Sequence, residues 1–198
     1  MSNKIIYIMG KSGSGKNTVY NELIKKLDSD KFKPIIMNTT RPMREGEVNG
    51  VDYNFTTAKE YLDYKDTDSI LEERIYETIK GKWVYFTLKN SINLAHCNYI
   101  GIGTLQSYKS LVKCYSKENV IPIYIQVPDD GDRLLRSIIR ERENERPNYS
   151  EVCRRFIADE NDFSYAKLFY IDPYRVINRD VESCVTKILD LINQECGD

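Results

Sequence analysis

The sequence predicts an α/β fold: a parallel sheet flanked by helices, with a small mixed β lobe inserted after the second strand and a helical lid further on. Three observations predict it. Short apolar runs alternate with helical patterns along most of the chain. A glycine-rich turn follows the first apolar run. Two stretches, 39–87 and 140–150, break the alternation with turn signals, aromatic runs and dense charge.

IIYIM (5–9) is β-branched and apolar and stops at Gly10, which reads as a buried strand. KNTVYNELIKKL (16–27) spaces Val19, Leu23, Ile24 and Leu27 as one helical face. KPIIMN (33–38) reads as a second buried strand. CNYIGIG (97–103), NVIPIYIQV (119–127) and YRVIN (174–178) read as three more. Helices are predicted over 105–115, 129–143, 150–163 and 181–192. Strands alternating with helices place the strands side by side in a sheet covered on both faces. The interrupting stretch 39–87 carries Arg-Pro, Asn-Gly and Lys-Gly turns and reads as a mostly β lobe; RERENERPNYS (140–150) reads as a mobile flap between two helices. The expected division is a core of 1–37, 89–136 and 161–198, a lobe over about 38–88 and a lid over about 137–160.

The 198 residues suit one domain with a sizeable core. The 29 Lys+Arg and 30 Asp+Glu nearly cancel, so no global field draws the chain to nucleic acid or to a membrane surface. Five cysteines at 97, 114, 153, 184 and 196 form no C-x-x-C pair, which speaks against a disulfide framework or a zinc site and for a reduced, cytoplasmic setting. No signal peptide or membrane span is expected in a chain that enters a strand at Ile5. The single histidine, His96, is expected at a surface or helix end rather than in catalysis.

Residues 10–18, GKSGSGKNT, nearly match G-x-x-x-x-G-K-[S/T]. Between a buried strand and a helix, such a turn aims backbone N–H groups at phosphate oxygens, and the helix N-terminus adds about half a positive charge. The expected phosphate-binding residues are Gly10, Ser12, Gly13, Ser14, Gly15, Lys16, Asn17 and Thr18, with Lys16 reaching the β- and γ-phosphates. Asn17 stands where a hydroxyl normally ligates Mg²⁺; its amide oxygen is also a hard donor and is assigned the metal position.

In TTRPMREGEVNGVDYNF (39–55), Arg41 and Arg44 follow a strand end and Tyr53 follows an Asn-Gly turn. Two guanidinium groups and a phenol are suited to hold a second phosphate. This stretch resembles the guanylate kinase family, whose pattern T-T-R-x-x-R-x-G-E-x-x-G-x-D-Y-x-F is met by Thr39, Thr40, Arg41, Arg44, Gly46, Glu47, Gly50, Asp52, Tyr53 and Phe55. The resemblance covers nearly the whole chain. It implies transfer of the ATP γ-phosphoryl to GMP with Mg²⁺ as cofactor. It further implies that Arg41, Arg44, Tyr53 and Tyr85 hold the GMP phosphate, and that Glu72, with Glu73 close behind, reads the guanine edge. Arg136, Arg140 and Arg155 would close on the triphosphate, joining Lys16 and Arg41 as catalytic groups, and Asn178 would lie near the adenine. Arg142 and Arg146 read as solvated. Partners are the nucleotides, and the chain acts as a monomer or homodimer.

Four positions depart from the family: Asn17; Met37, where a serine usually touches guanine; and Gly101 with Gly103, where two acids are usual. They motivate two alternatives, a kinase for a different or modified nucleotide and a non-catalytic binding module. The retained Gly13, Gly15 and Lys16 argue against the module.

Overall fold

The protein is described here by a computed structural model that covers residues 2–78 and 81–197. The chain opens with β1 (Ile5–Met9), every residue buried, then turns through the phosphate loop into α1 (Lys16–Lys26). β2 (Phe32–Pro34) follows, and then a second sheet begins with β3 (Asn38–Thr39) and β4 (Asn54–Phe55). Helix α2 (Ala58–Asp66) leads to the hairpin β5 (Ile70–Thr78) and β6 (Gly81–Leu88). The chain then returns to the first sheet with β7 (Asn98–Gly103), α3 (Leu105–Tyr115) and β8 (Val120–Gln126). Helices α4 (Asp130–Arg142), α5 (Tyr149–Asp162) and α6 (Tyr165–Ile171) precede β9 (Tyr174–Ile177) and the closing α7 (Val181–Cys196).

The first sheet has the order β2-β7-β1-β8-β9 and all its pairings are parallel. Successive residues of β1 point to opposite faces. Ile5, Tyr7 and Met9 therefore join Leu105, Tyr108 and Leu168 on one face, from α3 and α6. Ile6 and Ile8 join Val19, Leu23, Val185 and Ile188 on the other, from α1 and α7. Each fully buried isoleucine contributes roughly 2 kcal/mol. From β1 the chain passes to β2 and β7 on one side and to β8 and β9 on the other, so the strand order reverses at the carboxyl end of β1. Ligands of open α/β sheets bind in the crevice at such a reversal, and the phosphate loop sits there.

The second sheet runs β4-β3-β6-β5, with β3 parallel to β4 and antiparallel to β6. Two expectations need correcting. The run 33–38 is not one strand: Pro34, which lacks an N–H, closes β2, and after Ile35 N–H reaches Ile100 O at 2.8 Å the chain crosses to the other sheet. The inserted stretch also holds a helix, α2. Thr57 Oγ1 accepts from Glu60 N–H at 3.1 Å and the Glu60 carboxylate accepts from Thr57 N–H at 2.7 Å. That reciprocal cap is written as T-x-x-E in the sequence, and the signal was there to be read. The predicted Lys-Gly turn at 80–81 falls partly outside the described residues. His96 is exposed.

Candidate active site

The phosphate loop keeps its shape because two glycines adopt a left-handed backbone: φ is +77° at Gly13 and +81° at Gly15. A Cβ at Gly13 would also collide with the Arg133 carbonyl, and one at Gly15 with the Asn178 amide. Asn178 is buried beneath the loop and donates from Nδ2 to Ser14 O at 2.9 Å. Lys16 and Asn17 begin α1, Asn17 and Thr18 being exposed. Lys16 Nζ lies 3.5 Å from Lys11 O. Burial pushes its pKa down from the usual lysine value; Asp159 opposes this, and Arg140 and Arg133 add to it.

Acidic residues of α4 and α5 close over this loop. Asp159 Oδ2 accepts from Ser12 N–H at 2.7 Å. Arg133, only 1% exposed, pairs with Asp130 at 2.8 Å, Glu160 at 2.6 Å and Asp159 at 3.3 Å, and lies 4.1 Å from the Phe156 ring centre. Lys11 pairs with Glu160 at 2.7 Å and Asp130 at 3.4 Å. Sequence reasoning missed this cluster. Apart from Lys11 and Ser12 of the glycine-rich loop, its members belong to no motif, and only packing brings them together.

The second group lies on the second sheet. Arg41, 3% exposed, donates from Nε to Tyr85 Oη at 3.1 Å, and from Nη1 and Nη2 to Glu47 at 3.0 and 2.7 Å. Nη1 also reaches Pro42 O at 2.8 Å. Four of these contacts leave one of the five guanidinium N–H groups for a ligand. The Arg41 guanidinium holds the Glu47 carboxyl below its ordinary range. Tyr53 and Tyr85 rings meet edge-on with centres 5.6 Å apart. Register pairing of β3 with β6 sets Thr39 opposite Tyr85, which brings the tyrosine to the arginine two residues on. Arg44 is exposed on the same loop.

Farther along the hairpin, Glu72 is 8% exposed; Thr87 donates to one of its oxygens at 2.9 Å and Ser107 to the other at 2.9 Å. Glu73 points the opposite way and is tied to Tyr61 and Lys65 at 2.7 Å each. Strand alternation therefore puts Glu72, not Glu73, on the face shared with Arg41 and Tyr85.

A phosphate loop at one sheet, an arginine–tyrosine cluster at the other and a buried carboxylate beyond it now invite comparison with known proteins. The family model described as guanylate kinase matches residues 2–195. The chain belongs to the guanylate kinase family. Curated guanylate kinases are similar along its length: one of Caldanaerobacter subterraneus subsp. tengcongensis is 34% identical, over 96% of this chain and 87% of that one. One of Thermotoga maritima is 30% identical, over 98% and 88%. The crystal structure of guanylate kinase from Anaplasma phagocytophilum shares the fold at a TM-score of 0.67 and 20% identity, covering 98% of this chain and 86% of that one.

Within this guanylate kinase family member, the remaining predicted residues take distinct positions. Arg136 and Arg140 are exposed on α4. Arg155 on α5 is exposed and held by Glu151 at 2.8 Å, which Arg154 also engages at 2.7 Å. The Arg154 hydrogen bond, with Arg155 adding to it, brings the Glu151 pKa down to about 2. The glycines at 101 and 103 have a steric partner: Tyr7 of β1. A Cβ at Gly101 would come within 2.9 Å of the Tyr7 ring, and one at Gly103 would collide with its hydroxyl. Burial pushes the Tyr7 phenol up, with Glu72 adding to the shift. No helix among the described residues is long and apolar enough to cross a membrane.

Proposed function

We propose that this protein transfers the γ-phosphoryl group of ATP to GMP, giving ADP and GDP. The observation that carries the reading is Glu72: a buried carboxylate, on the strand face that also presents Arg41 and Tyr85, set to accept from a donor-rich base edge. Guanine offers adjacent N–H donors there, and a carboxylate only accepts.

Phosphoryl transfer asks the protein for position and positive charge more than for covalent chemistry. The loop amides of Gly10, Ser12, Gly13, Ser14 and Gly15, with Lys16 and Thr18, would hold the β- and γ-phosphates. Arg41, Arg44, Tyr53 and Tyr85 would hold the acceptor phosphate, and Asn178 would support the adenine side from beneath the loop. Arg136, Arg140 and Arg155 are exposed and would turn toward the transferring group once both nucleotides are present. Asn17 fits Mg²⁺, because its exposed amide supplies the hard oxygen this ion prefers, with the phosphates supplying others. The ion would neutralise charge on the transferring phosphoryl. The lobe over about 38–88 and the lid over about 137–160 would close on the substrates and exclude water. Free cysteines support a cytoplasmic enzyme, acting as a monomer or homodimer.

A coupled ADP-release assay with ATP and Mg²⁺ tests this reading against GMP, dGMP, AMP, UMP, CMP and dTMP. The expected result is turnover confined to GMP and dGMP. Turnover with another acceptor alone, or with none, would sink it.

A further inference from the structure

Arg74 is a charged side chain of the acceptor region with no part in holding the acceptor phosphate. Arg74 lies two residues beyond Glu72 on β5 and opposite Tyr85 on β6, so it stands on the same face, between the carboxylate and the phosphate cluster. Its guanidinium is poorly served. Nε is buried, lies 3.4 Å from Glu72 Oε2 and makes no hydrogen bond among the described residues. Nη2 rests on the Met37 thioether at 3.0 Å, a weak acceptor. Buried donors left this way are costly and uncommon.

Arg74 touches two residues, Met37 and Glu72, that line a cavity with Tyr7, Thr87 and Ser107. The cavity holds about 10 Å³, enough for about one water and not for a base. Tyr7, packed against Gly101 and Gly103, forms part of its wall. Arg74 Nε, 3.4 Å from Glu72 Oε2, flanks the carboxylate on the side of the phosphate cluster, and a base that pairs with Glu72 from that side would displace the guanidinium. Once displaced, Arg74 carries donors beside a carboxylate that accepts. That pair complements an edge on which a carbonyl oxygen neighbours N–H groups. Guanine has this edge. Adenine presents an amino group beside a lone pair, which mismatches both partners.

We propose that Arg74 is a specificity-determining residue of the acceptor site, occupying Glu72 in the free protein and donating to the base carbonyl when the base arrives. The proposal rests on the reading that GMP is the acceptor. Met37, which cannot donate a hydrogen bond, supplies a soft surface against the base, and the donor comes from Arg74 instead.

The test is a mutation–substrate cycle on the full chain, reading kcat/KM for wild type and Arg74→Met with GMP, 6-thio-GMP and IMP. The thio analogue weakens the carbonyl acceptor and keeps both N–H donors; IMP keeps the carbonyl and lacks the amino group. Wild type is expected to prefer GMP over 6-thio-GMP by about 10-fold, as for a hydrogen bond from a charged donor. In Arg74→Met, GMP falls by about 10-fold or more, 6-thio-GMP falls by less than about 3-fold, and the penalty for IMP, read by Glu72, is unchanged. Equal losses for GMP and 6-thio-GMP, or no loss for GMP, would overturn the role. A wild type that turns over no GMP would instead bring down the acceptor assignment, a result visible before any variant is made. If the methionine variant does not fold, Arg74→Gln carries the same cycle, and its retained donor should keep part of the GMP preference.

Discussion

The two regions proposed to bind phosphate are built on opposite principles. At the donor loop the proposed ligand groups are backbone N–H groups of one contiguous stretch, and glycines at 13 and 15 set their direction. At the acceptor side the groups are side chains, Arg41, Tyr53 and Tyr85, gathered from segments 44 residues apart at the extremes by strand pairing. Each region already holds a carboxylate of the protein's own: Asp159 on Ser12 N–H, and Glu47 on Arg41. The difference lies in what those carboxylates support. Glu47 stays within its own lobe, braced on the buried Arg41, whereas Asp159 comes from α5 and joins two separate parts of the fold. Loss of a ligand group should therefore cost activity alone at the donor loop and both activity and stability at the acceptor side.

Lys16→Met gives the largest expected effect. Turnover should fall by about 10²–10³-fold, as when one transition-state charge partner is removed. Stability should hold or rise, by about 2 °C in melting temperature, because a charge disfavoured by burial is gone. A melting temperature well below wild type would break the comparison.

Arg41→Met is next. It removes four hydrogen bonds and leaves Glu47 with only the Arg44 N–H, so unfolding in urea should show a loss of about 2 kcal/mol. That is less than for a fully enclosed pair, since the Glu47 side chain is 18% exposed and can rehydrate. KM for GMP should rise by about 10-fold or more, with KM for ATP little changed. An unaltered urea midpoint would show that Glu47 and Tyr85 hold the lobe without the arginine.

Glu151→Gln is the mildest. The pairs with Arg154 and Arg155 are largely exposed, so stability at neutral pH should change by less than about 0.5 kcal/mol. The sign follows from the depressed folded pKa. The pair stabilises above the unfolded carboxylate value of about 4.3, and its contribution is lost as pH falls from there through about 2. Acid titrations of wild type and variant should converge over that range. A gap that widens as pH falls would contradict the pairing. Release of Arg155 should also raise turnover, by less than about 3-fold, if that arginine must swing to the phosphates.

The sequence by itself determined the parallel α/β core, the glycine-rich loop and the Arg41–Tyr53 motif. Each is a local pattern: alternating apolar runs, a glycine-rich turn, a motif of 17 consecutive residues from 39 to 55. Helix α2 was equally legible in its T-x-x-E cap, and was overlooked because turn signals and aromatic runs around it favoured strands. Whether Glu72 or Glu73 shares the strand face of Tyr85 depends on a strand phase that adjacent acids cannot reveal, and the β5–β6 register gives that face to Glu72. Only the tertiary structure decided the rest. Positions 101 and 103 read as lost acids until Tyr7, a neighbour across the sheet, was seen to need their space. Arg133 carries no motif in the sequence, and only the packing of α5 and the loop round it makes it the centre of an ion-pair cluster. Compensation of this kind joins residues distant along the chain through contact, volume and charge. A single sequence records the residues and not the distances between them.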